Sequence, residues 1–171
     1  MNWDYKNLLP EDFAADSRVW IYQSNRLFTL AEAFDIEDAL NLFVEGWNAH
    51  GDKVKGFATL FFGQFIVLMA DESATHVSGC STDSSVRVIR EFEHRFKVHL
   101  FDRTNLAFAK GDKVEMLPMS QFNYAVQHGF INPDTLYFNN TVLTKQDLLD
   151  KWLIPVKESW LKSKLAVANS Q

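Results

Sequence analysis

The chain has 171 residues, 47% of them hydrophobic and 14% aromatic, with a net charge of −5 and one cysteine. That length suits a single domain spanning 1–171 with a real core. The acidic balance argues against nucleic-acid binding, which draws most of its affinity from phosphate neutralisation. The longest apolar run, Phe65 to Ala70, is far short of the roughly twenty residues that cross a bilayer. Cys80 has no partner for an intrachain disulfide, and the first six residues hold no apolar signal segment. A cytoplasmic location without a membrane anchor is therefore expected.

Residues 1–16 read as a weakly ordered end with a turn at Pro10. A first strand follows at Arg18 to Gln23, with apolar or aromatic side chains on both faces. The first helix begins at Thr29, which forms a capping box with Glu32. Ala33, Ile36, Leu40, Phe43 and Trp47 form its apolar stripe, and Gly51 reads as its stop. Strands two and three, Gly56 to Phe62 and Phe65 to Ala70, form a hairpin turning near Gly63-Gln64. Strand three does not alternate, so it reads as a central strand covered on both faces. The second helix is placed at Asp83 to Lys97, with Val86, Ile89, Phe92 and Phe96 inward. Arg87, Glu91 and Arg95 are set for i,i+4 pairs outside.

Strand four is placed at Leu106 to Ala109, with Lys110-Gly111-Asp112 turning into Val114 to Leu117. The order β-α-β-β-α-β predicts an α+β, ferredoxin-like core over about 18–110. A C-terminal extension over about 111–164 adds a helix near Ser120 to Gln127, a strand near Leu136 to Phe138, and helices near Lys145 to Trp152 and Val156 to Lys164. Thr144 with Asp147 resembles a weak cap. The tail, 165–171, is expected to fray. The extension offers a cover for the second sheet face; a homodimer interface is the rival cover.

The motif search excludes more than it finds. Gly51 and Gly56 have Walker A spacing, but Phe57-Ala58 stand where Lys and Ser or Thr must hold phosphate and magnesium. There is no G-x-G-x-x-G dinucleotide fingerprint. The informative stretch is Asp71 to Ser85, which joins buried strand three to helix two. It gathers more capping residues than one helix start needs, beside a thiol. Cys80 is a candidate nucleophile there, with His76 or His50 as base and Asp83 orienting it. Ser81, Ser84, Ser85 and His50 are candidate ligand-binding residues. The competing reading makes Cys80 a small packing residue, because Asp71, Glu72 and Asp83 oppose a thiolate. A metal site on His76, Cys80, Asp71 and Asp83 lacks a full ligand set, and no cofactor is expected.

His50 otherwise reads as a helix C-terminal residue, and His94 and His128 as surface residues. Leu100-Phe101-Asp102-Arg103-Thr104-Asn105 reads as a local turn. Trp152 and Trp160 read as core caps.

Arg18-Val19-Trp20-Ile21-Tyr22-Gln23, Trp47-x-Ala49-His50-Gly51, Ser78-Gly79-Cys80-Ser81-x-Asp83-x-Ser85-Val86, Leu100-Phe101-Asp102-Arg103 and Glu158-Ser159-Trp160 together resemble a family of small uncharacterised bacterial proteins. The resemblance spans about residues 18–160. Members often carry the label "ABC transporter ATPase". This chain has neither the P-loop nor the signature Ser-Gly-Gly of such an ATPase, so the label does not fit its chemistry. The resemblance directs attention to His50, Cys80 and Asp83 without assigning a reaction.

The leading expectation is a non-enzymatic binding or accessory module for a small ligand or protein partner. The alternatives are a thiol-dependent enzyme using Cys80 and a structural homo-oligomer. The ferredoxin-like reading carries a geometric expectation of its own. With strands one and three taken as parallel, His50 and Cys80 fall at opposite ends of the domain, leaving His76 as the nearer partner.

Overall fold

The computed structural model describes residues 2–49, 51–73 and 79–168, with the side chains of 79–81 and 166–168 outside that description. His76 and His50 lie outside the described residues, as do the side chains of Cys80 and Ser81. The architecture is mixed α+β, with three antiparallel sheets. In chain order the elements are β1 (Arg18–Gln23), α1 (Leu30–Gly46), β2 (Asn48–Ala49), β3 (Asp52–Lys53), β4 (Lys55–Phe61), β5 (Phe65–Asp71) and α2 (Gly79–Phe96). There follow β6 (Asn105–Lys110), β7 (Lys113–Pro118), α3 (Phe122–Gln127), β8 (Leu136–Phe138), α4 (Lys145–Lys151), β9 (Leu153–Pro155) and α5 (Lys162–Ala168). Two compact units emerge, one of Asp4–Phe101 with Val142–Leu149, the other of Met1–Trp3, Asp102–Thr141 and Asp150–Gln171.

The first unit is built on the sheet β1-β5-β4. All seven residues of central β5 are buried, as its unbroken apolar run predicts. Its hairpin with β4 closes through Phe62 and Gly63, both left-handed (φ 55 and φ 63), with the Gln64 N–H on the Phe61 carbonyl at 3.0 Å. Ile66 and Leu68 pack with Ile36 and Leu40 of α1 and with Ile89, Phe92 and Phe96 of α2. Fully burying a side chain of this kind stabilises by about 1.5–3 kcal/mol. The α1 cap is the expected box: Thr29 Oγ1 accepts from the Glu32 N–H, and the Glu32 carboxylate accepts from the Thr29 N–H at 2.8 Å.

Phe65, Val67 and Met69 alternate to the opposite face, and they too are fully buried within the single chain. Part of that cover comes from the N-terminal segment, whose residues by themselves predict a weakly ordered end. Tyr5, Leu9 and Phe13 are buried. The Tyr5 ring meets Phe61 edge-on at 5.9 Å, and its hydroxyl donates to the Leu148 carbonyl at 2.6 Å. Burial of these rings outweighs the low local propensity of the segment.

Several expectations need correction. Strand four of the ferredoxin-like order, here β6, pairs with β7 and β8 in a separate sheet, ordered β7-β6-β8-β9. The outer edge of β1 is met instead by the chain near residue 144: the Val19 N–H donates to the Leu143 carbonyl and the Lys145 N–H to the Ser17 carbonyl. Strands one and three, β1 and β5, run antiparallel, with Arg18 opposite Ala70 and Gln23 opposite Phe65. Helix α1 ends at Gly46, with Trp47 as its cap residue, whereas Gly51 (φ 92) lies between β2 and β3. Helix α2 starts at Gly79, earlier than Asp83. Arg95 pairs with Asp35 of α1.

In the second unit, Leu106, Phe108, Phe122, Tyr137, Val156 and Leu165 belong to one apolar cluster. The tail expected to fray, 165–171, begins inside α5, and Leu165 is held in this core. Trp152 is fully buried, its Nε1 donating to Asn140 Oδ1 at 2.9 Å. Trp160 is 41% exposed, so it only half covers the core. Asp102 accepts from the Thr104 N–H and the Asn105 side chain, both at 2.8 Å, which is the local turn expected there.

Candidate functional site

The Asp71–Ser85 stretch starts where β5 ends. Asp71 is 2% exposed and faces away from the helices. Its Oδ2 accepts from Lys55 Nζ at 3.1 Å and from the Ala14 N–H at 3.3 Å; Oδ1 accepts from the Ser73 N–H at 3.0 Å. Burial alone would raise this carboxyl. The Ser73 N–H and hydroxyl, Lys55 and the Ala14 N–H overcome that and hold it well below the usual carboxylate range. Lys55 also binds the Asp12 carbonyl at 2.6 Å and sits 4.7 Å from the Phe13 ring. Glu72 lies 3.6 Å from Arg18. The acidic charge counted against a Cys80 thiolate is therefore paired with cations at both Asp71 and Glu72.

The two helices also meet this edge. On α1, Glu37 accepts from the Leu60 N–H of β4 at 2.7 Å, and Trp47 lies against Gly56. Helix α1 therefore runs down β4 towards its start, which is paired with the end of β5. Helix α2 runs opposite to α1: Arg95 meets Asp35, Phe96 meets Phe28 at 5.9 Å, and Arg26 Nη2 donates to the Phe96 carbonyl at 2.7 Å. The start of α2 is accordingly on the same side of the unit as the end of α1, and α2 packs against β2. This overturns the expectation that the segments bearing His50 and Cys80 lie at opposite ends. The cause is the antiparallel pairing of β1 with β5, which reverses the relative direction of the helices that follow them.

A cavity of about 350 Å³ opens at the same edge, lined by Val44, Lys53, Val54, Lys55 and Gly56. Gly56 has a steric role there: a Cβ would stand 2.7 Å from Trp47 Cε3. Trp47 is 1% exposed and packs on Phe43 at a centroid distance of 4.9 Å. Lys53 is exposed.

Of the sequence-derived candidates, Cys80 and Ser81 fall in the first turn of α2. Asp83 is exposed and Ser84 half-buried. Ser85 is fully buried, and its hydroxyl donates to the Thr82 carbonyl at 2.7 Å, so it is turned away from solvent. His94, His99 and His128 are exposed; His128 stacks on Tyr124 at 3.9 Å. Among the described residues, no three His, Cys, Asp or Glu side chains gather closely enough to hold a metal ion. Nor is any described helix long and apolar enough to cross a membrane.

The sequence reading missed Lys53, Val54 and Lys55 as site residues. One signal was present: equal steps back from the closing pair Phe61 and Phe65 bring Lys55 opposite Asp71. Compared with known protein families, curated proteins and solved structures, the chain matches none.

Proposed function

We propose that the protein is a non-enzymatic binding module of the cytoplasm, with its site at the edge where β5 ends and α2 begins. The observation that carries this reading is the cavity lined by Val44, Lys53, Val54, Lys55 and Gly56. Valines supply an apolar wall, and Lys53, exposed and without an ion pair among the described residues, supplies a positive charge, since Lys55 is engaged by Asp71 and Asp12. Such a lining suits a small anion with an apolar body. Titration of the labelled protein with a panel of small carboxylates and phosphates tests it by amide chemical shifts. Shifts centred on residues 53–56 and lost in Lys53→Met are expected; a panel that leaves those amides unmoved sinks the reading.

A second reading is a thiol-dependent activity at Cys80. What favours it is the shared edge of the β2–β3 segment and the α2 start, together with the cation pairing of Asp71 and Glu72. A thiol at a helix start is activated when its thiolate is stabilised. Alkylation of Cys80 against pH, in the native chain and in His50→Ala and His76→Ala, separates the two readings. A reactivity profile like that of a free thiol, unchanged in both variants, removes the enzyme.

We read the first unit as a ferredoxin-like arrangement in which the segment around Thr144 stands beside β1 in place of the fourth strand. The strand order β1-β5-β4 supports this. The resemblance around Gly79-Cys80-Ser81-x-Asp83 supports kinship with the small bacterial family described above.

A further inference from the structure

β7 is the edge strand of the four-stranded sheet, paired among the described residues with β6 alone. The turn Gly111-Asp112, with Gly111 at φ 60, closes the hairpin between Lys110 and Lys113. A two-residue turn makes its flanking pair a hydrogen-bonded one. Lys113, Glu115 and Leu117 therefore aim their backbone groups at β6, and Val114 and Met116 aim theirs outward. The outward N–H and C=O groups of Val114 and Met116 have no hydrogen-bond partner among the described residues. Donor and acceptor pairs repeating every second residue are matched by one kind of ligand, an extended backbone.

A cavity of about 260 Å³ adjoins this strand, walled by Phe108, Met116, Leu117, Ala125, Phe130 and Ile131. Phe130 remains 56% exposed although Lys110 Nζ donates to its carbonyl at 3.0 Å. The cavity suits an apolar side chain from the incoming strand. Glu115, also in the lining, is exposed and has no ion pair among the described residues, so it favours a basic residue beside that apolar one. A second copy of β7 is a poorer match. Pairing its Met116 with Val114 would set Glu115 directly against Glu115, a destabilising like-charge pair.

We propose that the β7 edge binds an extended peptide by strand addition, with an apolar side chain in the cavity and a basic residue facing Glu115. The test is a displayed octapeptide library panned against the full chain and, in parallel, against Val114→Pro. Proline there removes an outward N–H and leaves the groups facing β6 in place. Enriched peptides are expected to carry an apolar and a basic residue two positions apart, on the one face that meets both the cavity and Glu115, and to bind Val114→Pro about ten-fold more weakly. Glu115→Lys, a change at an exposed side chain, keeps the test independent of folding and should shift enrichment from basic to acidic residues. No enrichment over Val114→Pro, or peptides indifferent to both variants, overturns the proposal. A concentration-dependent dimer abolished by Val114→Pro also overturns it, and assigns the edge to a second copy.

Discussion

Lys55 and Asp71 stand directly opposite each other at the open end of the β4–β5 ladder, with Nζ 3.1 Å from Oδ2. The carboxylate is buried while the ammonium side chain is 40% exposed, so the loss falls unequally on the two partners. Asp71→Ala strands the N–H groups of Ala14 and Ser73 and should cost about 2–3 kcal/mol. Asp71→Asn keeps an acceptor oxygen and should cost about 1 kcal/mol. Urea unfolding measures both; an Asp71→Ala protein with an unchanged midpoint would contradict the role assigned to this pair.

Glu32 is held by both Arg26 guanidinium nitrogens at 2.8 Å and by the Thr29 N–H. Arg26 first, then the Thr29 N–H, lowers its carboxyl from 4.5 to about 2. A depressed folded value contributes stability that is present above pH 4.5 and is lost as pH falls towards about 2. Glu32→Gln should cost about 1 kcal/mol at neutral pH and flatten that part of the acid-unfolding curve. Equal slopes for the two proteins between those pH values would show that Glu32 is not the responsible group.

Gly56 permits the close approach of Trp47, and the added methyl of Gly56→Ala would meet Cε3 at 2.7 Å. The ring cannot simply swing aside, because Phe43 and Trp20 pack on it at 4.9 and 6.1 Å. A loss of about 1–3 kcal/mol is expected, with a changed tryptophan emission spectrum. Wild-type stability and spectrum in the variant would mean that Trp47 is more loosely held than its burial indicates.

Tyr5 ties the N-terminal segment to the sheet and to Leu148. Tyr5→Phe removes only the hydroxyl bond and should cost about 1 kcal/mol. Tyr5→Ala also opens a cavity against Phe61 and should cost about 3–5 kcal/mol. Thermal unfolding of the pair ranks them; equal losses would place all of the contribution in the hydroxyl.

What the sequence determined by itself was local. The α1 capping box needs only Thr29 and Glu32 three residues apart, and the central place of β5 follows from apolar residues on both of its faces. The β4–β5 register is likewise settled by a short turn. Tertiary structure decided everything that depends on direction and partner choice. The turn at Gly111-Asp112 makes the β6–β7 hairpin legible, but β6 carries the same alternation whether its other edge meets β1 or β8, so its sheet could not be read from its residues. The direction of β5 against β1 depends on how the intervening hairpin is inserted, and it brings the ends of α1 and α2 to one edge. The N-terminal segment looks like a polar loop until Tyr5, Leu9 and Phe13 find a sheet face to cover. In each case the deciding energy is burial against a surface assembled from distant parts of the chain, and that surface exists only once the chain has folded.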